Sequence, residues 1–143
     1  MDHNAVVDRI LGFSRLAVVG LSSDPYKPSN GVARTLISHG YEVIPVNPHE
    51  SEVLGRSCYP TLADIPDPID AVVVFRRPEF LEGVAKEAAE AGAKALWLQS
   101  GLTSKAARKI ADDAGMEYVE NRCIGVDADL RPRATVQTPP PPN

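Results

Sequence analysis

The sequence has little of what marks a specialised class of protein. It contains only two cysteines, Cys58 and Cys123, in 143 residues. That is too few to describe a disulfide framework, so both are expected to be thiols. Its three histidines, His3, His39 and His49, show no metal-ligand spacing and are expected to be solvated. No apolar run exceeds about five residues, Leu16 to Gly20 and Ala71 to Phe75 being among the longest, against the ~20 that a membrane-crossing helix needs. The N-terminus carries Asp2 and Asp8 where a secretory signal would place Lys or Arg, so a cytoplasmic location is expected. Positive charge is also short: 15 Lys and Arg face 19 Asp and Glu, a net charge of −4 that argues against a broad nucleic-acid-binding surface. What remains, 43% hydrophobic and 24% charged residues, is the make-up of one ordinary globular domain rather than a disordered or fibrous chain.

Hydrophobic periodicity alternates between two values along the chain, which implies an α/β fold. Val6, Val7, Ile10 and Leu11 share one face of a short opening helix, and Arg15 to Gly20 reads as a buried strand. A helix from about Ser29 to His39, with Ser29 or Asn30 as its cap, leads into a strand over Tyr41 to Asn47. Residues 48 to 68, rich in proline, are expected to be irregular, with at most a short helix after Thr61. Further strands are expected over Ile69 to Phe75, Ala95 to Gln99 and Glu117 to Glu120, separated by helices after Pro78 and over about Ser104 to Ala114. Three helices end in glycine and turn straight into a strand, at Gly40, Gly92 and Gly115. Repeated βα units of this kind give a five-stranded parallel sheet flanked by helices, with ligands beyond the carboxyl ends of the strands. Residues 1 to 130 form this domain, and 131 to 143, ending in Pro139 to Pro142, form an extended, disordered tail. Asp127 and Asp129 are read as solvated charges on that polar end.

The strand ends therefore hold the candidate site. Gly20-Leu21-Ser22-Ser23 follows a buried strand and precedes a helix, so its amides and hydroxyls could hold a phosphate; alternatively, Gly20 simply ends the strand. The later glycines of a dinucleotide fingerprint are replaced by Ser22 and Pro25, and the second strand ends in Asn47 where an NAD-binding unit usually places an acid. Lys27, Arg76 and Arg77 stand instead near strand ends, where cations suit a ligand with an additional phosphate or are merely solvated.

Several ordered blocks carry a resemblance: Val18-Val19-Gly20-Leu21-Ser22, Lys27-Pro28-Ser29, Gly40 to Pro48, Val72 to Arg76, Ala95 to Gln99 and Asn121-Arg122-Cys123. With them the chain, from about Ile10 to Cys123, resembles the small, free-standing coenzyme A (CoA) binding proteins. Their Rossmann-like three-layer domain is similar to the N-terminal domain of the succinyl-CoA synthetase alpha subunit. The resemblance implies CoA or an acyl-CoA as ligand. It implies that Gly20, Ser22, Ser23, Lys27, Pro28 and Ser29 surround the pyrophosphate and that Val46, Asn47 and Pro48 border the adenosine. Phe75 and Arg76 would flank the nucleotide and the start of the pantetheine arm. Gln99 and Gly101 would lie across the mouth of the cleft, with Asn121, Arg122 and Cys123 on the same edge. Cys123 could there face the CoA thiol and form a mixed disulfide with it under oxidising conditions.

The domains that carry the chemistry of the synthetases do not fit in 143 residues, and Ser22 and Ser23 have no obvious histidine partner. The expectation is a CoA-binding protein acting as carrier, sensor or accessory subunit, without a complete catalytic apparatus and without a metal. The alternatives are an NAD(P)-dependent oxidoreductase with a shortened phosphate loop, and a ligand-free interaction module recruiting a partner through its proline tail. A homodimer and a separate partner protein are both compatible with the sequence.

Overall fold

Short, largely apolar segments build the sheet. β1 (Arg15–Val19), β2 (Glu42–Val46), β5 (Ala71–Val74), β6 (Ala95–Leu98) and β7 (Glu117–Val119) pair in the order β2-β1-β5-β6-β7, every pair parallel. This is the computed structural model of the chain, and it describes residues 3–131. The helices are α1 (His3–Leu11), α2 (Pro28–Ser38), α3 (Leu81–Glu90), α4 (Lys105–Ala114) and α5 (Ile124–Asp129).

Successive residues of a strand point to opposite faces of a sheet, and here both faces are buried. Leu16, Val18, Ala71, Val73, Ala95 and Trp97 pack with residues of α1, α2 and α5. Ala17, Val19, Val72, Val74, Leu96 and Leu98 pack with residues of α3 and α4. The three-layer Rossmann-like architecture follows from that two-sided burial.

The helix ends match the sequence pattern. Gly40, Gly92 and Gly115 all have positive φ, and the N–H of the residue after each reaches back to close the last turn: Tyr41 to the Leu36 carbonyl, Ala93 to Ala88 and Met116 to Ala111. α4 starts at Ser104, whose Oγ accepts the Ala107 N–H at 3.0 Å.

Three expectations need correction. The segment after β2 is more ordered than its prolines suggest: besides a 3-10 turn at Leu62–Asp64 it forms a small antiparallel hairpin, β3 (Glu52–Val53) and β4 (Arg56–Ser57). The cap of α2 is Lys27, with Pro28 at the first helical position, while Ser29 and Asn30 are buried inside the first turn. Finally, the chain beyond β7 forms α5, in which Asp127 is only 4% exposed. The proline-rich end expected as a tail lies outside the described residues, apart from its first residue, Arg131.

Candidate functional site

The strand order reverses between β1 and β5: from β1 the chain passes to β2 on one side, and later strands add on the other. A parallel sheet opens a crevice at such a point, beyond the carboxyl ends of the strands. Here the two strand ends are locked together. The Gly20 N–H donates to the Val46 carbonyl and the Phe75 N–H to the Val19 carbonyl, both at 2.9 Å. Gly20 has φ +86°, and a Cβ there would stand 2.1 Å from the Phe75 carbonyl oxygen. Only glycine permits this approach, which makes Gly20 more than the end of a strand.

The loop after Gly20 is braced from α2. The Ser22 N–H donates to Ser29 Oγ at 3.0 Å, and Asn30 Nδ2 donates to the Ser22 carbonyl at 2.9 Å. Ser22 Oγ accepts from the Asp24 N–H, and Asp24 in turn accepts from the Tyr26 N–H. Ser29 and Asn30 thus serve the loop instead of capping the helix. The Ser23 N–H finds no protein acceptor among the described residues and belongs to an exposed residue, whereas Leu21 before it is fully buried. The first turn of α2 carries no acidic residue, and Lys27 and Ser23 are exposed beside it. The Ser23 amide, the positive end of α2 and Lys27 favour an anion, with the Asp24 carboxylate as the one opposing charge in this loop.

Two chambers open from the crevice. One, of about 260 Å³, is lined by Gly20, Asn47, Pro48, His49, Phe75 and Arg76. The other, of about 340 Å³, is mostly apolar and is lined by Pro28, Val32, Phe75, Arg76, Gln99, Leu102, Cys123 and Ser100. They share Phe75 and Arg76. The Arg76 guanidinium lies 4.2 Å from the centre of the Phe80 ring and pairs with no carboxylate among the described residues. Val46 lies behind Pro48, in a small cleft that also reaches Arg76.

The far wall is held by side chains committed to the protein itself. Gln99 is buried, and its Oε1 accepts the Ile124 N–H at 3.0 Å, fixing the start of α5. Asn121, at φ +56°, accepts the Gly101 N–H at 2.7 Å and so joins the loops after β6 and β7. The Arg122 guanidinium grips Asp127 at 2.9 and 2.6 Å, and Arg131 reaches the same carboxylate at 3.0 Å. Hydrogen bonding to Asp127 pushes the Arg122 pKa still higher. Cys123 is half-buried at the N-cap of α5. Cys58 hydrogen-bonds the Asn47 carbonyl, and burial pushes its thiol pKa up.

Of the expected site residues, Gly20, Asn47, Pro48, Phe75 and Arg76 meet in the first chamber, and Pro28, Phe75, Arg76, Gln99 and Cys123 in the second. Ser22 and Ser29 brace the loop, Ser23 and Lys27 stand exposed on it, and Gly101, Asn121 and Arg122 support the wall. Four lining residues escaped the sequence reading, Ser100 among them, lying between the expected Gln99 and Gly101. Val32 and Leu102 look like ordinary core residues in sequence, and His49 looks like a solvated loop histidine.

Comparison with known proteins identifies relatives of the whole domain. A family model described as a CoA binding domain matches residues 14–129. The YneT protein of Bacillus subtilis is 43% identical over 112 residues, covering 78% of this chain and 83% of that one. The ADP-forming acetate–CoA ligase II of Archaeoglobus fulgidus is 30% identical over 114 residues; the match covers 78% of this chain but only 16% of the ligase. Among solved structures, a protein from Pyrococcus horikoshii is 37% identical with a TM-score of 0.85, covering 91% of this chain and 92% of that one.

Proposed function

We propose that this chain, which belongs to the CoA-binding domain family, binds CoA or an acyl-CoA in the crevice between β1 and β5. The carrying observation is the pairing of unlike chambers at Phe75 and Arg76, because CoA too has unlike halves: a charged nucleotide and a long, weakly polar arm. The Ser23 amide, with Lys27 and the start of α2, would hold the pyrophosphate. Val46, Asn47 and Pro48 would border the adenosine, Pro48 offering an apolar edge to the base. The apolar chamber would take the pantetheine arm, with Cys123 toward its thiol end.

Binding rather than chemistry is the better reading of these residues. The Ser22 hydroxyl is engaged by the Asp24 N–H, and no histidine or carboxylate lines the chamber that holds Cys123. A carrier, sensor or accessory role fits, the last supported by the similarity to part of an acetate–CoA ligase. Calorimetric titration of ligand-stripped protein under reducing conditions tests the reading. CoA is expected to bind and NAD to bind far more weakly; tighter binding of NAD would favour an oxidoreductase, and no binding of either would overturn the proposal.

A further inference from the structure

His49 follows β2 and Arg76 follows β5, and β1 lies between those strands in the sheet. The two side chains therefore approach the first chamber from opposite sides of Gly20, from strands about 10 Å apart at two inter-strand spacings. What lines the chamber between them leaves few donors for a ligand. Gly20 donates its N–H to Val46, and the Phe75 N–H goes to Val19. Pro48 has no N–H. The Asn47 carboxamide is engaged at both ends, its nitrogen donating to the Leu21 carbonyl at 3.0 Å and its oxygen accepting the His49 N–H at 2.9 Å. That second bond also sets the backbone from which the imidazole projects. No carboxylate lines the chamber, so the His49 ring and the unpaired Arg76 guanidinium dominate its electrostatics.

We propose that His49 and Arg76 together recognise a phosphate monoester, the ribose 3′-phosphate of CoA, and are the residues that distinguish CoA from dephospho-CoA. The inference rests on the CoA reading above. A monoester dianion offers three acceptor oxygens, enough for the Arg fork on one side and an imidazole N–H on the other. The pyrophosphate is the other phosphate source in the same ligand. Its partners are the Ser23 amide and Lys27, which stand just before α2 and do not line this chamber.

The test is calorimetry with CoA, dephospho-CoA and ADP on wild type, His49→Ala, Arg76→Gln and the double variant, with circular dichroism to confirm that each is folded. Each single variant is expected to lower CoA affinity on the order of tenfold, with dephospho-CoA and ADP nearly unchanged. The double variant should bind CoA and dephospho-CoA about equally. If His49→Ala keeps the full preference for CoA, the role of His49 is overturned while the CoA reading stands. If ADP weakens as much as CoA does, the pair holds the pyrophosphate and the assignment is overturned. If wild type binds neither CoA nor dephospho-CoA, the CoA reading itself fails and this inference with it.

Discussion

Cys123 and Cys58 show how one residue type takes two characters from its surroundings. Cys58 gives its thiol hydrogen to the Asn47 carbonyl, and burial, with the Glu50 carboxylate nearby, raises its pKa and disfavours the thiolate. Cys123 lines the apolar chamber, half-buried, where the proposed arm of CoA would end. Treatment with CoA disulfide should therefore modify Cys123: its thiolate attacks one sulfur, the new mixed disulfide forms, and one CoA leaves as the thiolate. Intact mass spectrometry is expected to show a single CoA adduct on wild type and none on Cys123→Ser. An adduct that persists in the serine variant would move the reaction to Cys58 and refute the assignment.

At the scale of elements, α5 has only six residues and depends on what fastens it. Asp127 is the fastening: it receives Arg122 from the loop after β7 and Arg131 from the far end of the helix, and Arg131 also reaches Asp8 on α1. Replacing Asp127 with Ala leaves two partly buried guanidinium groups without their shared acceptor. We expect a loss of about 2 kcal/mol in urea unfolding, because removing one partner of a buried pair strands the other charge. A change within about 0.5 kcal/mol, usual for exposed substitutions, would show that the cluster does not hold the helix.

The same helix shows where the sequence is legible and where it is not. The three glycine stops and the largely apolar strands speak through local rules, since each residue's own conformation or burial period gives the element away. Nothing within Ile124 to Asp129 announces a buried carboxylate, because Asp127 is stabilised by residues before and after the helix and reads locally as a polar end. The hairpin of β3 and β4 is missed for a similar reason: two-residue strands are too short to show alternation. In the site, Gly20, Phe75 and Arg76 are legible because they follow clear strands. His49 becomes noticeable only once the sheet order sets it opposite Arg76.

For the whole molecule, stability should fall in acid through carboxylates that join distant segments. Asp70 is pulled upward by burial, but this is outweighed by hydrogen bonds from the Arg15 and Ser14 backbone amides and by Lys94, so its pKa lies below the ordinary value. Hydrogen bonding from Arg9 lowers Glu117 likewise. A carboxylate with a lowered folded-state pKa stabilises above its unfolded value, near ~4, and that contribution disappears as pH falls through the folded value. Asp70→Asn, which keeps an acceptor but removes the charge, is expected to cost about 1 kcal/mol at neutral pH and less near pH 3, where protonation of Asp70 begins to remove the difference. Thermal unfolding of both proteins across that range checks it; an equal cost at both ends would deny Asp70 its electrostatic role.

The sheet order also governs how the chain can be made. β1 is synthesised first but sits inside the sheet, and its second neighbour, β5, begins some 55 residues later, the separation between Arg15 and Asp70. At ribosomal speeds of about 5–20 residues per second, that leaves β1 with an open edge for roughly 3–11 seconds. During that interval Leu16-Ala17-Val18-Val19 is an apolar template that any extended chain could pair with. Nascent chains halted before residue 70 should therefore be more aggregation-prone than the full-length chain, in which the β1 edge is covered by β5.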